Sequence, residues 1–362
     1  MTAEVTVMNR QAVALAADSA VTVTTRHGRK AWQSATKIFP LAQPHAVGVM
    51  LYGGMSMHRL PWDTIIKEFR KTLPAQDYPR LEDYTTALLR FLRSQRRFYP
   101  PEEQQLYVYT KLVLEFLELR RFLVRAVESA LASSSTASIT PSQQRQIITE
   151  VLDVWRRSLD DASRLKRLPR DFRRRLLSSY RAQFRKAKAD VFQQLPLTQG
   201  QSRKLTTLGQ MFFERDWPID SHSGLVIAGY GRLDLFPRFE RLRIDGFALS
   251  RLIFACDAAN AITRDDSGGV WAFAQGDDVY AFMEGILPSY QDKFERMLHD
   301  KIVDLPLQLL DRVTVTQRQK SQMRRDLSQF CHQVFADTQQ ELETYRRKVC
   351  TTCTRRRIRP AN

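Results

Sequence analysis

Four cysteines in 362 residues are too few to staple a chain of this length, so a disulfide framework is excluded as the source of its stability. Cys256 and Cys331 stand apart, and Cys350 with Cys353 makes a single C-x-x-C without a second pair nearby. Zinc would need further ligands from elsewhere, and neither a metal nor a cofactor is expected. No apolar run approaches the ~18–20 residues of a membrane span. The N-terminus also lacks the charged and then apolar segments of a secretory signal. The expected setting is therefore cytoplasmic, with no membrane partner. Acid is scarce too: 39 Asp+Glu stand against 56 Lys+Arg, a net charge of +17.

That basic surplus is uneven. It gathers at Arg156-Arg157, Lys166-Arg167, Arg173-Arg174-Arg175, Arg185-Lys186 and Arg203-Lys204, with a second knot at Arg355-Arg356-Arg357. Such stripes speed encounter with anionic partners and can neutralise phosphates. The grammar of a nucleic-acid reader is missing: there is no zinc-finger spacing, no aromatic RNP-type strand and no helix-turn-helix pattern. A solvated helical face is the preferred reading, and nucleic acid is not expected as a partner.

What is present is a change of hydrophobic period along the chain, and it predicts an α+β protein. Residues 1–57 read as short strands rich in β-branched residues, a first sheet half. Residues 58–222 read as helical, with helices over Leu81–Leu92 and Tyr107–Leu131. Another opens at Pro141 behind Thr140 and runs through Leu159. Helix is expected to continue to about Gln194, and the stretch holding Pro196, Gly200 and Gly209 to be loop. Strands return in residues 223–290, at Gly224–Gly231, Phe239–Ile244, Leu252–Cys256 and Val270–Gln275. Helices are expected over Asp277–Ile286 and Tyr290–Tyr345, so that residues 291–349 form a C-terminal helical segment and 350–362 a basic tail.

Chemistry is carried by the first sixty residues. A small residue follows Met1, so an aminopeptidase can expose Thr2, which then holds a hydroxyl nucleophile and a free α-amine on one residue. The amine's ordinary pKa near ~8 leaves a neutral fraction able to act as base, the N-terminal variant of an activated nucleophile. Behind Thr2 stand Leu15-Ala16-Ala17-Asp18-Ser19, then Lys37-Ile38-Phe39, then an apolar strand ending at Gly53-Gly54. Taken singly, Asp18 reads as a turn former at a strand end and Lys37 as an exposed strand cap. Taken in order, the run resembles the opening of proteasome β subunits and of the bacterial proteasome-like peptidase that pairs with an unfoldase ring.

The resemblance implies a four-layer αββα sandwich of the N-terminal-nucleophile (Ntn) hydrolase type, with a large helical insertion between its two sheet halves. It implies a threonine peptidase with Thr2 as nucleophile, Asp18 and Lys37 as its charged partners and Gly53 at the oxyanion hole. The Thr2-to-Asp18 spacing matches the family without a gap, whereas Asp18 to Lys37 needs a few extra residues in the turn. Lysine would lower the pKa values of the threonine amine and hydroxyl, and aspartate would keep the lysine charged and oriented. A glycine lets a backbone N–H approach the oxyanion, where one donor supplies about 3 kcal/mol.

In the second half, Gly224–Gly231 resembles the family's "ALIAGYD"-like strand. Where the family has a serine beside the threonine amine, this chain has Gln275 or Gly276; a glutamine amide can orient an amine. Gln275 also reads as a plain polar residue at a strand end. The resemblance further implies peptides or unfolded protein as substrate, homo-oligomeric ring assembly and an unfoldase partner. The family's closing strands have no counterpart in Cys350–Asn362, so a poorly stable or inactive chain is expected. The alternative function is a catalytically impaired scaffold whose basic helical insertion binds an acidic partner or nucleic acid.

Overall fold

Polar side chains on the buried side of a strand mark the start of the described chain. Along β1 (Ala3–Met8) burial alternates with period two, so Glu4, Thr6 and Met8 face inward while Val7 is exposed. The computed structural model describes residues 3–357 apart from positions 20, 26–27, 33–34, 42–43, 134–137, 167, 194, 196, 218–221, 275 and 285–286. The chain divides into two compact units, one of Thr6–Trp271 and one of Ala3–Val5 with the chain from Ala272 onward. The architecture is mixed α+β with several antiparallel sheets.

After β1 come β2 (Val13–Ala17), the hairpin of β3 (Val21–Thr25) and β4 (Gly28–Trp32), β5 (Ile38–Pro40) and β6 (Val47–Gly53). A two-residue hairpin, β7 (Ser56–Met57) and β8 (Leu60–Pro61), leads into α1 (Trp62–Arg70), α2 (Leu81–Ser94) and the long α3 (Pro101–Ser133). Helices α4 (Pro141–Asp161), α5 (Phe172–Ser179), α6 (Arg181–Phe192) and α7 (Gln199–Met211) follow. Then come β9 (Ser223–Gly229), β10 (Arg238–Ala248), β11 (Arg251–Ala261) and β12 (Gly269–Ala274).

The larger sheet has the order β11–β10–β9–β6–β5 and the smaller one β12–β1–β2. In the larger sheet every pairing is antiparallel, with Leu51 opposite Leu225 and Gly53 opposite Ser223. All seven residues of β9 are buried, which requires cover on both faces. On one face Val49, Leu51, Leu225 and Ile227 pack with Trp62 and Ile65 of α1 and with Tyr84 and Leu88 of α2. On the other lies β2: a Cβ at Gly48 would sit 2.8 Å from Leu15 Cδ1. The continuous apolar run of β6 and β9, rather than an alternating one, is what such two-sided burial demands.

A second core fills the helical region. Leu112, Phe116 and Leu119 of α3 meet Ile148, Leu152 and Trp155 of α4, Phe184 of α6 and Leu205 of α7. Helix α4 starts as its sequence predicts: Gln143 N–H donates to Thr140 Oγ1 at 3.2 Å and Thr140 N–H to Gln143 Oε1 at 2.8 Å, with Pro141 in the first turn. Such a cap is worth about 1 kcal/mol. The loop expected around Gly200 and Gly209 is instead α7. Thr198 and Gln201 build the same capping box there. Gly209 admits close helix packing, because a Cβ at that position would meet Leu112 and Phe184 at 2.9 Å. Expected continuity of helix to Gln194 is interrupted too, between α4 and α5.

The basic stripe is partly spent inside this unit. Arg164 Nε and Arg173 Nε donate to the two oxygens of Glu214 at 2.7 and 2.8 Å, and Lys204 holds Asp153. Burial alone would raise the Glu214 carboxyl, but the two guanidinium forks outweigh it and hold the group below its ordinary value. Arg174, Arg175 and Arg185 remain exposed.

In the other unit, α8 (Gly276–Glu284) and α9 (Pro288–His299) run into a π-helical turn (Asp300–Asp304), α10 (Leu305–Leu310) and α11 (Gln317–Arg357). The helical stretch expected over Tyr290–Tyr345 is thus divided, with a break at residues 311–316. Thr316 caps the new start, its hydroxyl donating to Gln319 Oε1 at 2.6 Å, and Val303, Leu310 and Cys331 are buried.

Candidate active site

Two non-adjacent segments bring Asp18 and Lys37 together. Asp18 follows β2, and Lys37 immediately precedes β5; Ala35 N–H donates to Ser19 C=O at 3.2 Å and ties the two stretches. The strand ladder then fixes Lys37, whose carbonyl accepts from Leu51 N–H at 2.8 Å. Its ammonium donates to Asp18 Oδ1 in a short ion pair. The lysine side chain is 2% exposed and the aspartate 34%.

Lys37 is therefore not the exposed strand cap that it resembles when read alone. An ammonium in such a place needs its carboxylate, since an uncompensated buried charge costs several kcal/mol. A surface lysine would carry no comparable obligation.

Gly53 ends β6, two residues and about 7 Å along the strand from Leu51, which faces Lys37. Its φ is +71°, the left-handed region that favours glycine. Close approach adds a second reason, because a Cβ there would stand 2.6 Å from the His222 carbonyl oxygen. The next amide is committed: Gly54 N–H donates to that same His222 carbonyl at 2.9 Å. The turn out of β6 is thus held in one conformation by the entry into β9.

Sequence reasoning missed the residues that hold it. His222 stacks edge-on against Tyr52 with ring centroids 6.1 Å apart. Ser223 is buried, and its hydroxyl donates to Ser56 C=O at 3.4 Å. A His-Ser pair directly before an apolar strand was the available signal. Also missed was the polar inward face of β1, where Glu4 and Thr6 are fully buried. The Thr6 hydroxyl has no hydrogen-bond partner among the described residues. Burying a polar group is costly unless it is hydrogen-bonded, so the Thr6 hydroxyl carries such a cost.

Of the five residues expected at the site, Asp18 and Lys37 are in contact and Gly53 lies on the strand beside Lys37. Thr2 and Gln275 lie outside the described residues. Side chains of Cys350 and Cys353 do as well. Among the described residues no helix is long and apolar enough to cross a membrane. No family model, no curated protein and no solved structure matches this chain.

Proposed function

We propose that the chain is an Ntn hydrolase of the threonine type, acting on amide bonds of peptides or unfolded protein after removal of Met1. The observation that carries this reading is the Lys37–Asp18 pair, an ammonium held out of water by a carboxylate at the ends of neighbouring strands.

In the proposed reaction the Thr2 hydroxyl oxygen attacks the carbonyl carbon while its proton passes to the α-amine. The tetrahedral oxyanion is met by backbone N–H at the Gly53 turn. Collapse breaks the C–N bond, and the α-ammonium returns the proton to the leaving amine. An ester on Thr2 remains. Water then attacks it with the amine again as base, releasing a carboxylic acid and restoring the hydroxyl. The Lys37 ammonium favours the neutral amine and the developing negative charge throughout.

Helices on one face of the larger sheet and β2 on the other also support a layered αββα arrangement for the proposed enzyme. The test is direct. Intact-mass measurement is expected to show loss of Met1, and a β-lactone or peptide epoxyketone to label Thr2. A purified chain that has lost Met1, stays folded and is not labelled by either reagent would sink the proposal.

A further inference from the structure

Helices α6 and α7 meet along a polar seam. There Lys188 Nζ donates to Thr206 Oγ1 at 2.9 Å, to Ser202 Oγ at 3.1 Å and to Ser202 C=O at 3.4 Å. Among the described residues no carboxylate pairs with this ammonium. Other lysines of the same two helices differ: Lys186 holds Asp190 at 2.7 Å, and Lys204 holds Asp153 of α4 at 2.5 Å. Lys188 and Ser202 are both half-buried. An ammonium given only hydroxyls and a carbonyl keeps much of the cost of its burial. That burial, with no opposing charge, lowers the lysine pKa.

The Thr206 hydroxyl donates to Ser202 C=O at 3.0 Å, so it is fixed and can orient the lysine. The Ser202 hydroxyl accepts from Lys188, and its own proton has no acceptor among the described residues. A hydroxyl in reach of an amine, with a third group orienting that amine, is the constellation of an activated nucleophile. Serine with lysine is one of its recurring forms.

Helix α7 adds electrophilic help. Ser202 is its fourth residue, and a helical side chain leans toward the N-terminus of its helix. In that opening turn the Gln199 and Gly200 amides have no acceptor among the described residues. A Cβ on Gly200 would meet only Thr198 Oγ1 at 3.9 Å, so the turn is open to a ligand. Arg185, one turn before Lys188, and Arg203, beside Ser202, are exposed and carry no ion pair among the described residues.

We propose that Lys188 and Ser202 form a second nucleophilic centre, with Thr206 as positioning residue, acting on carboxylic esters that carry a negative charge. In its reaction the Ser202 oxygen attacks the acyl carbon while its proton passes to the neutral Lys188 amine. The oxyanion is met by the free amides of α7. Collapse breaks the bond to the alcohol oxygen, which takes the proton back from Lys188, and an acyl ester stays on Ser202. Water then attacks with Lys188 again as base, releasing the acid. Arg185 and Arg203 attract the charged ester.

The experiment uses the full chain and its Thr2→Ala variant, which separates this centre from the Thr2 reading. A fluorophosphonate is expected to label Ser202 in both, located by peptide mass mapping. Lys188→Met is expected to slow that labelling roughly a hundredfold while the melting temperature holds or rises, since an uncompensated charge is removed. Thr206→Val should slow it roughly tenfold. The labelling rate should climb with pH about a midpoint below the ordinary lysine value of 10.5. In Thr2→Ala, 4-nitrophenyl hemisuccinate should exceed 4-nitrophenyl acetate in kcat/KM by roughly tenfold. A folded chain unlabelled at Ser202, undiminished labelling of Lys188→Met, or equal kcat/KM for the two esters would each overturn the assignment.

Discussion

The backbone of Gly53 passes so close to that of His222 that no side chain fits between them: a Cβ on Gly53 would lie 2.6 Å from the His222 carbonyl oxygen. Alanine at this position must also adopt a φ of +71°. Gly53→Ala is expected to cost about 2–4 kcal/mol of stability, read by urea denaturation, and to abolish labelling of Thr2. A variant as stable as the parent would show that the turn has an alternative conformation.

The Lys37–Asp18 pair is asymmetric, and its two halves should respond differently. Asp18→Asn takes the carboxylate from an ammonium that is nearly inaccessible, with an expected loss of about 3 kcal/mol. Lys37→Met leaves a carboxylate one-third exposed, which water can solvate, so about 1 kcal/mol is expected. Both should lose hydrolytic activity. Equal destabilisation by the two variants would contradict the burial argument.

His58 makes the fold sensitive to mild acid. Burial lowers its pKa from 6.5 to about 4, so the unfolded chain takes up this proton first as pH falls. Its contribution is fully present above 6.5 and is lost as pH drops through 4, about 3 kcal/mol in all. Comparing stability curves of the parent and His58→Asn between pH 7 and 4 checks this. The variant's curve should be flatter across that window.

Two glycines of α7 should answer alanine with opposite signs. At Gly200 a Cβ would meet only Thr198 Oγ1 at 3.9 Å, so the gain in helix propensity, about 0.5–1 kcal/mol, is expected in full. At Gly209 it would press on Leu112 and Phe184 at 2.9 Å, and overpacking is expected to cost about 1–3 kcal/mol. Thermal melts of the two single variants decide it.

These glycines also mark where sequence reading stopped. Thr140-Pro141 announces α4 because cap and first turn are local chemistry. Gly200 and Gly209 read as loop because glycine's local preference opposes helix, and the partner surfaces on α3 and α6 are distant in the chain. Strand signals at Phe239–Ile244 and Leu252–Cys256 stand for parts of two eleven-residue strands, β10 and β11. Leu249 and Ser250 join them, both at positive φ. No local rule places leucine there; the turn is held by Tyr180 Oη and Gln104 Oε1, which accept from the Leu249 and Ser250 amides at 3.0 and 2.8 Å. His58 and Arg59, also at positive φ, join the β7–β8 hairpin and are propped by Glu103.

From the amino-acid order alone come the α+β class, the strand identity of β6 and β9, most helices, and the candidates Asp18, Lys37 and Gly53. The class, strands and helices follow from short-range rules of period and capping, whereas the three candidates follow from the resemblance carried by the order of the motifs. Tertiary structure alone decided that Lys37 is withdrawn from water onto Asp18, that Gly53 is wedged beside His222, and that Lys188 meets Ser202 between two helices. Each of these rests on segments brought together by burial of apolar surface, and burial is a property of the packed chain rather than of any stretch of it.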